Sequence, residues 1–497
     1  MVHKMKKGKH KIVKSFVLLF TMILIGVIGY IGITKQWIIQ VKPYQLTMQN
    51  VEKQGEYERD FECLYKELKQ NYSLLSYKEE TLHFNFDELY QEYKNRLDQV
   101  DNDKAFYLLC SEYISHLKDG HMSFKQYEGT QRYGHPYTDD IVDAVAIREI
   151  DSKNIIVGNC IDAKYNGYEV KSINGIAFDT IVDAMMKVYY NSCFELGARQ
   201  SIIAHHYLAY FDLFCENIPN KLIYHLEGPK REQDDIVLDS QKNYTKEVYY
   251  TSDINFGITC SEQPCYDVMD QIGYIRIDTF DVPKNKLIKT YEKALKTFEE
   301  KQVNGLIIDV RNNGGGNECF RTVVESMIHK PLTAPIIYHY KQSMRFKEIY
   351  PLRFLWDQLC SEKFNKEQET AYSEWRTWKM KEKKGDYFKN VPIVVLVNES
   401  IFSSTGSLVY YCKQNGLATI IGSNYAYSGG GLATKCILPS KKFMISYGMQ
   451  EICTESGIPL ENQAGEPDVQ VTLTREDILN HHDAQLEAAK KYLWRLM

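Results

Sequence analysis

Short apolar segments alternate with amphipathic segments between residues 271 and 422, and this alternation constrains the fold more than any other feature of the sequence. The apolar segments have the length of buried strands, and the segment at 286–302 repeats its apolar residues at helical spacing. Strands that alternate with helices favour an α/β core. The predicted strands are QIGYIRIDTF (271–280), GLIIDVR (305–311), VPIVVLVN (391–398) and LATIIG (417–422).

The remaining patterns divide the 497 residues into four parts, within the range of about two to four domains that this length allows. A basic tip and an apolar run occupy 1–40, helix-like spacing covers 41–135, and strand-like segments fill 136–250. The core occupies 251–497, and its charged, tryptophan-bearing segment at 341–390 is interpreted as a helical insertion able to cap a site. The prediction is an α/β (α+β) fold with an N-terminal helical region.

An uncharged, mostly apolar run of 20 residues occupies positions 15–34 and follows six lysines. A helix of that length spans roughly 30 Å, which is the thickness of one hydrocarbon core. The lysines before the run favour a cytoplasmic N-terminus, so the sequence predicts a single-pass anchor in the cell membrane with the body outside the cytoplasm. A cleaved signal peptide is the alternative, although the run is long for one and lacks an A-x-A-like site.

Composition limits the other partners and cofactors. The formal net charge of −5, from 60 basic and 65 acidic side chains, argues against a general nucleic-acid binder. Twelve cysteines follow the apolar run, and their even number permits disulfides outside the cytoplasm. They are scattered without a C-x-x-C pair, so small buried hydrophobic side chains are an equally good interpretation. No spacing suggests a metal site, and no metal or cofactor is predicted.

Small hydroxyl residues after the third predicted strand are the first candidates for chemistry. Ser403 lies where the strand at 391–398 meets a helix, and ligands of open α/β folds bind at such edges. A serine there is exposed, and the helix dipole favours the negative charge that develops during its attack. Serines are also ordinary helix N-caps, so the local sequence leaves both interpretations open.

Three further features carry possible chemistry. The glycines of RNNGGG (311–316) expose backbone N–H groups that suit an oxyanion hole or a phosphate cradle, or they form a flexible turn. His121 follows Gly120, which lets its imidazole stand clear of the backbone, and Glu461 lies where a carboxylate could orient a histidine. Other histidines and acids compete for these roles: His205, His206, His481, His482, Glu466 and Asp468.

The chain resembles the C-terminal processing (tail-specific) serine peptidases, and most closely their tricorn-core-like branch. The resemblance rests on DGH (119–121), GYIRIDTF (273–280), GLIIDVRNNGGG (305–316), VPIVVLVNESIFSS (391–404) and LENQAGEPDVQV (460–471), in this order. It covers 251–497 well and the N-terminal part by the DGH motif alone. It implies a ClpP/crotonase-like peptidase core. GYEVKSING (167–175) is similar to the end of a PDZ-like module, which implies such a module within 136–250.

The same resemblance implies roles for particular residues. Ser403 falls on the nucleophile, His121 on the general base and Glu461 on the acidic partner of the histidine. The oxyanion hole would be formed by the amide of Ser404 and by the amide of Gly315 or Gly314. In two places the sequence departs from the family: Ser428 stands where the tail-specific branch has its lysine, and Gly406 stands where a glutamate is frequent.

The function that follows is a membrane-anchored serine endopeptidase that cleaves polypeptides through an acyl-enzyme and needs no metal. Two alternatives come from other classes. A non-catalytic relative would bind a ligand or peptide in a pocket formed by the glycine turns and the 341–390 insertion, with Ser403 only a helix cap. A membrane-anchored scaffold would use the 136–250 module to hold chain ends.

Overall fold

The computed structural model describes residues 43–47, 55–127, 133–189, 194–244, 249–250, 264–360, 371–373, 376–377, 380, 388, 391–427, 430–461 and 463–497. The predicted membrane anchor at 15–34 lies outside these residues. In the part of the chain described here, no helix combines the length and the apolar character needed to cross a bilayer.

The N-terminal region is mainly helical, and asparagines start two of its helices. Asn85 accepts hydrogen bonds from the amides of Asp87 and Glu88, and Asn102 accepts one from the amide of Ala105, so free N–H groups of the first turns are satisfied. The elements are β1 (Tyr44–Gln45), α1 (Glu56–Asn71), α2 (Leu75–Leu82), α3 (Phe86–Arg96), a 3₁₀ turn (Leu97–Gln99), α4 (Asp103–Ser115) and β2 (Ser123–Gln126).

The middle region contains an antiparallel sheet with the order β3-β4-β5-β7-β8, in which β6 pairs with β5 and β9 with β4. Its α6 buries one apolar face, as its spacing of large side chains requires. The elements are α5 (Asp139–Val142), β3 (Val145–Ile150), β4 (Lys153–Asn159), a 3₁₀ turn (Ala163–Tyr165), β5 (Glu169–Ile173), β6 (Ile176–Ala177), α6 (Phe178–Val188), α7 (Glu195–Ser201), a π-helix (Ile202–His206), α8 (Ala209–Leu213), β7 (Lys221–Glu227), β8 (Gln233–Asp239) and β9 (Tyr249–Tyr250).

The C-terminal region begins at β10 and ends in a helix that packs on its sheet. The elements are β10 (Cys265–Met269), β11 (Ile272–Arg276), α9 (Lys284–Glu300), β12 (Gly305–Asp309), α10 (Phe320–Met327), β13 (Ile337–Gln342), α11 (Met344–Ile349), α12 (Pro351–Cys360), β14 (Ala371–Tyr372), β15 (Arg376–Thr377), β16 (Ile393–Val397), α13 (Ser404–Gln414), β17 (Thr419–Gly422), β18 (Tyr425–Tyr427), β19 (Gly430–Ile437), β20 (Phe443–Cys453), β21 (Gln463–Gly465), β22 (Val469–Gln470), α14 (Arg475–Leu479) and α15 (Ala484–Trp494).

A six-stranded sheet with the order β10-β11-β12-β16-β17-β22 forms the core of this region. All its strands from β11 onward run parallel, and β10 is antiparallel at the edge. One face packs on α15 and the other on α9, α10 and α13, so both faces are buried. The mixed α/β fold predicted from the sequence is therefore confirmed. The parallel register places the ends of β12, β16 and β17 side by side, at the edge where Ser403 follows.

A second sheet joins the N-terminal region to the core. Its order is β1-β19-β20-β13-β14, with β2 paired to β20 and β15 to β13. Because β2 starts at Ser123, its antiparallel pairing with β20 fixes the segment that carries His121 against the core. Within the segment interpreted as a helical insertion, the described residues form α11 and α12 and also the short strands β14 and β15, which pair with β13.

Two kinds of cysteine occur among the described residues. Cys265 is disulfide-bonded. Eight others carry free thiols, and six of these are buried: Cys63, Cys110, Cys319, Cys412, Cys436 and Cys453. Both interpretations left open by the sequence therefore apply, each to different cysteines.

Candidate active site

Ser403 stands at the turn between β16 and α13 in a strained conformation. Its φ of 54° and ψ of −123° lie in a region that side chains with a Cβ rarely adopt. The Ser403 side chain makes no capping hydrogen bond to the helix that it precedes, so the helix-cap interpretation does not describe it. Its Oγ instead lies 3.0 Å from Nε2 of His121, which is 282 residues away in the sequence. The turn therefore presents the hydroxyl to an imidazole.

His121 is held in place by contacts on three sides. Its backbone N–H donates to Oδ1 of Asp119 at 2.7 Å, and Asp119 Oδ2 accepts from the Tyr72 hydroxyl at 2.6 Å. The imidazole stacks on the ring of Phe402, with 4.6 Å between the centroids. Its side chain is 17% exposed. The ring is thus fixed in a partly open position, with Nε2 directed at Ser403.

A buried pair of carboxylates lies behind the imidazole. One ring nitrogen of His121, one oxygen of Asp119 and one oxygen of Glu461 all lie within 4.8 Å of one another. His121 Nδ1 is buried, makes no hydrogen bond, and is 3.8 Å from Asp119 Oδ1. Glu461 is fully buried, and the ammonium of Lys78 lies 3.5 Å from its Oε1. The structure therefore brings together Ser403, His121 and Glu461, and adds Asp119.

Carboxylates and an imidazole at this spacing are ligand types that a divalent cation accepts. The Lys78 ammonium opposes a cation here, because it already supplies a positive charge to Glu461 and also donates to the backbone oxygen of Lys118 at 2.9 Å. We therefore interpret the group as a charge-balanced site for an imidazole.

The glycine turn after β12 contacts the Ser403 turn directly. A Cβ on Gly315, where φ is +93°, would lie 2.7 Å from both the backbone oxygen of Phe402 and the Cβ of Ser403. It would also lie 3.0 Å from the amide nitrogen of Ser404. Only glycine fits this approach, so the glycine turn and the turn that carries Ser403 are packed against each other.

The two glycine amides proposed for the oxyanion hole differ in what they contact. The Gly315 N–H donates to Oδ1 of Asn313 at 2.9 Å and Gly315 is buried. Gly314 is exposed and lines the cleft beside Phe402. Ser404 is the first residue of α13, where N–H groups have no partner within the helix. The geometry therefore favours Gly314 over Gly315 as the donor that acts with Ser404.

A buried charge network holds the glycine turn to the end of the chain. The Arg311 guanidinium donates to both oxygens of Asp309, to both oxygens of Asp483 and to Gln485. Burial acts to raise the pKa of Asp309, but the Arg311 charge and the hydrogen bonds from Arg311 and Tyr274 hold that pKa below its ordinary value. The turn is thus fixed by paired charges on β12 and at the start of α15.

Two cavities share Gly120 in their linings. The oxyanion-side cleft has a volume of about 570 Å³ and is lined by Gly314 and Phe402 from the core and by Val145, Ile147 and Ala204, among others, from the middle region. The histidine-side cavity has a volume of about 690 Å³ and is lined by residues that include Asp119, His121, Lys125, His135, Tyr189 and His206. Both volumes could accept a segment of extended polypeptide.

Several site residues were not predicted from the sequence. Lys78, Tyr72, Asn313 and Asp119 support the site. Asp119 and Asn313 carried a signal, since they are part of the DGH and RNNGGG motifs, whereas Lys78 and Tyr72 carried none. Arg148, from β3, pairs with Glu399, which also accepts a 2.7 Å hydrogen bond from Ser423, and this group borders the oxyanion-side cleft.

The other histidines and acids considered from the sequence either have contacts away from Ser403 or line one of the two cavities. His482 bonds Asp477, and Asp468 accepts from the Ile420 amide, so both have structural contacts away from Ser403. His205 lines the oxyanion-side cleft and His206 the histidine-side cavity.

Comparison with known proteins gives a family match for a segment of the core and several solved structures with a similar fold. Residues 271–471 match the model of peptidase family S41. The structure is similar to that of mature CPAF, at 14% sequence identity and a TM-score of 0.61, over 88% of this chain and 96% of that chain. It is similar to mature CPAF complexed with lactacystin, at 15% identity and a TM-score of 0.60, over 88% of this chain and 97% of that chain.

A weaker likeness is to the photosystem II D1 C-terminal processing protease, at 14% identity and a TM-score of 0.44, over 84% of this chain and 93% of that chain. No curated protein sequence matches the chain significantly.

The segment that matches the peptidase family model contains both the glycine turn and the serine turn. The protein is therefore a hydrolase of the serine peptidase class. Within that class, its segment 271–471 is similar to peptidase family S41.

Proposed function

We propose that the protein is a membrane-anchored serine endopeptidase that cleaves polypeptides with a Ser403, His121 and Glu461 triad. The observation that carries the proposal is the 3.0 Å contact between Ser403 Oγ and His121 Nε2. A nucleophile and its general base require a hydrogen bond of this length, and a helix-capping serine does not.

In the proposed reaction, His121 Nε2 takes the proton of Ser403 as its Oγ bonds to the carbonyl carbon of the scissile peptide. The carbonyl oxygen becomes negative and accepts hydrogen bonds from the Ser404 and Gly314 amides. His121 then gives its proton to the leaving nitrogen as the C–N bond breaks, which leaves an acyl-Ser403. Water, deprotonated by His121, attacks the ester and releases the acyl segment with regeneration of the Ser403 hydroxyl.

Glu461 and Asp119 support the imidazolium that forms in both steps. The His121 tautomer that accepts a proton at Nε2 carries one at Nδ1, and that nitrogen is buried near both carboxylates. Two negative charges and the one positive charge of Lys78 leave the surroundings of the ring net negative. The imidazolium that forms during the reaction adds the compensating positive charge. Glu461 acts across a distance of at most 4.8 Å, so a small movement or a water molecule completes the contact.

The test uses the full chain, an unstructured polypeptide substrate and a serine-directed fluorophosphonate. Ser403→Ala should abolish both turnover and covalent labelling, and His121→Gln should lower turnover by about 10⁴-fold or more. Ser456→Ala, in an exposed turn, is the matched control and should change neither. Unchanged turnover in Ser403→Ala would refute the mechanism. Absence of labelling in the unaltered chain would instead favour the non-catalytic binder.

The proposed anchor is tested separately. The full chain should stay with membranes after alkaline extraction, and exogenous protease should reach its body in intact cells. Leu24→Arg combined with Ile28→Arg places two charges in the run at 15–34 and should release the chain, because each charge near a bilayer centre costs about 2.5–3.5 kcal/mol. Release of the unaltered chain by the same extraction would contradict the anchor but not the peptidase.

A further inference from the structure

The histidine-side cavity has a polar wall whose chemistry differs from that of the oxyanion-side cleft. The oxyanion-side cleft is lined in large part by aliphatic and aromatic side chains from β3, β4 and the turn before Ser403. The histidine-side cavity instead carries Lys125, His135 and His206 together with tyrosines. The two halves of a bound polypeptide would therefore meet different surroundings.

Three nitrogen-bearing side chains converge on this cavity. Lys125 projects from β2, four residues beyond His121, and is exposed. Lys125, His135 and His206 all line this one cavity. Burial, together with the nearby His205, His135 and Lys125, lowers the pKa of His206 to about 4. They offer one ammonium and two imidazoles that can donate N–H hydrogen bonds.

Two acidic groups at or beside the cavity, among the residues that the structure describes, already have partners. Asp119 lines the cavity, but its two oxygens accept hydrogen bonds from the His121 amide and from the Tyr72 hydroxyl. Asp212 accepts from the amide of Gly134 and does not line the cavity. A cavity with donors in excess over free carboxylates fits an anionic group of the substrate.

The position of the cavity indicates which part of the substrate enters it. In the proposed mechanism the leaving nitrogen must reach His121, which lines the histidine-side cavity, while the carbonyl oxygen faces Gly314, which lines the oxyanion-side cleft. The residues after the scissile bond therefore extend along the histidine-side cavity, and the acyl segment occupies the other.

We propose that the histidine-side cavity binds a carboxylate on the leaving segment of the polypeptide, with Lys125 and His135 as its main partners. This proposal rests on the peptidase function and defines the substrate class of the same site: chains that are acidic within the first few residues after the cleaved bond. The carboxylate can come from an aspartate or glutamate side chain or from the chain terminus, and both present the same chemistry to the cavity.

The test compares four peptides that share one acyl segment and differ only after the cleaved bond. Two carry glutamate or glutamine in the leaving segment and end in an amide, and two are neutral and end in a free carboxylate or an amide. The full chain should cleave at least one acidic peptide with a kcat/KM roughly tenfold or more above its neutral match, as charged hydrogen bonds allow. The pair that differs identifies the source of the carboxylate.

Lys125→Met combined with His135→Gln should reduce that preference to about one, while neutral peptides keep their rate. Lys296→Met, on the exposed face of α9, is the matched control and should keep the preference. Fluorophosphonate labelling of Ser403 in each variant shows that it has folded. Equal cleavage of all four peptides by the unaltered chain, or a preference that survives in the double variant, would overturn the proposal. Loss of all cleavage and labelling in the unaltered chain would instead refute the peptidase function.

Discussion

Lys78 Nζ lies 3.5 Å from Glu461 Oε1, and neither side chain is exposed to solvent. Lys78 belongs to α2 and Glu461 follows β20, so two residues 383 positions apart tie the N-terminal helices to the site. A buried carboxylate remains charged only when charge and hydrogen bonds compensate for the lost water. In the proposed triad, Lys78 thus positions Glu461 beside His121 and partly compensates its charge.

Replacement of Lys78 should therefore affect stability and turnover together. Lys78→Met removes the buried ammonium beside Glu461 and should lower the free energy of unfolding by about 3–5 kcal/mol, measured by urea titration. The double variant Lys78→Met with Glu461→Gln should be more stable than Lys78→Met alone, because it also removes the buried negative charge that the ammonium had compensated, but it should stay slow in turnover.

The exposed Lys289, on α9, gives the matched control, since Lys289→Met should change neither quantity. A Lys78→Met variant as stable and active as the unaltered chain would show that the buried pair contributes nothing.

Gly315 should tolerate no side chain, because the turn that contains it touches the Ser403 turn. Gly315→Ala places a Cβ 2.7 Å from Ser403 Cβ and from the Phe402 backbone oxygen, so one of the turns must move. A shift of about 1 Å in a reacting group can reduce the rate by about 10²-fold, and we expect kcat to fall at least that much.

The Gly457→Ala variant distinguishes the effect of backbone strain from the effect of a steric clash. Gly457 has a φ of +82° and nothing within 4 Å of an added Cβ, so it should lose about 1–2 kcal/mol of stability without loss of turnover. Equal turnover in the Gly315 and Gly457 variants would contradict the contact.

The strain at Ser403 should be visible in stability. Ser403→Gly removes the Cβ at a φ of 54°, whereas Ser403→Ala keeps it. We expect the glycine variant to be more stable than the alanine variant by about 1 kcal/mol in thermal or urea unfolding. The neighbouring Ser404 lies within α13, where the order of the two stabilities should reverse. The Ser404→Ala variant should be more stable than the Ser404→Gly variant. The same order at both positions would mean that Ser403 carries no strain.

The sequence predicted the core strands because each is a continuous apolar run bounded by turn residues, and β11, β12, β16 and β17 fall within the predicted segments. It also placed Ser403 and His121 near each other through the family resemblance. It could not predict Lys78, because a lysine in α2 looks the same whether its helix faces water or a buried carboxylate.

The sequence was equally unable to show whether Gly315 or Gly314 supplies the proposed oxyanion-hole amide. The two residues are chemically identical, and they differ only in what the fold places around them: Gly315 is buried and donates to Asn313, whereas Gly314 is exposed and lines the cleft. Long-range packing therefore decides the parts of the site that local pattern leaves open.

Lys341 should make the stability depend on pH above neutrality. Its ammonium donates to the backbone oxygen of Tyr72, and the Tyr72 hydroxyl donates to Asp119. Lys341 therefore supports the site indirectly, through Tyr72. Burial lowers the pKa of Lys341 to about 8 from its ordinary 10.5, although the charge of Glu451 acts in the opposite direction. Between these two values the unfolded chain binds more protons than the folded chain, so the Lys341 contribution to the free energy of unfolding rises with pH.

The comparison with Lys341→Met isolates this contribution, because the other titrating groups are common to both chains. Relative to that variant, the unaltered chain should gain about 1–3 kcal/mol in urea unfolding between pH about 8 and about 10.5, and the difference should be flat below about pH 7. A difference that stays constant or falls across the alkaline range would show that Lys341 is hydrated and that the contact behind Tyr72 is loose.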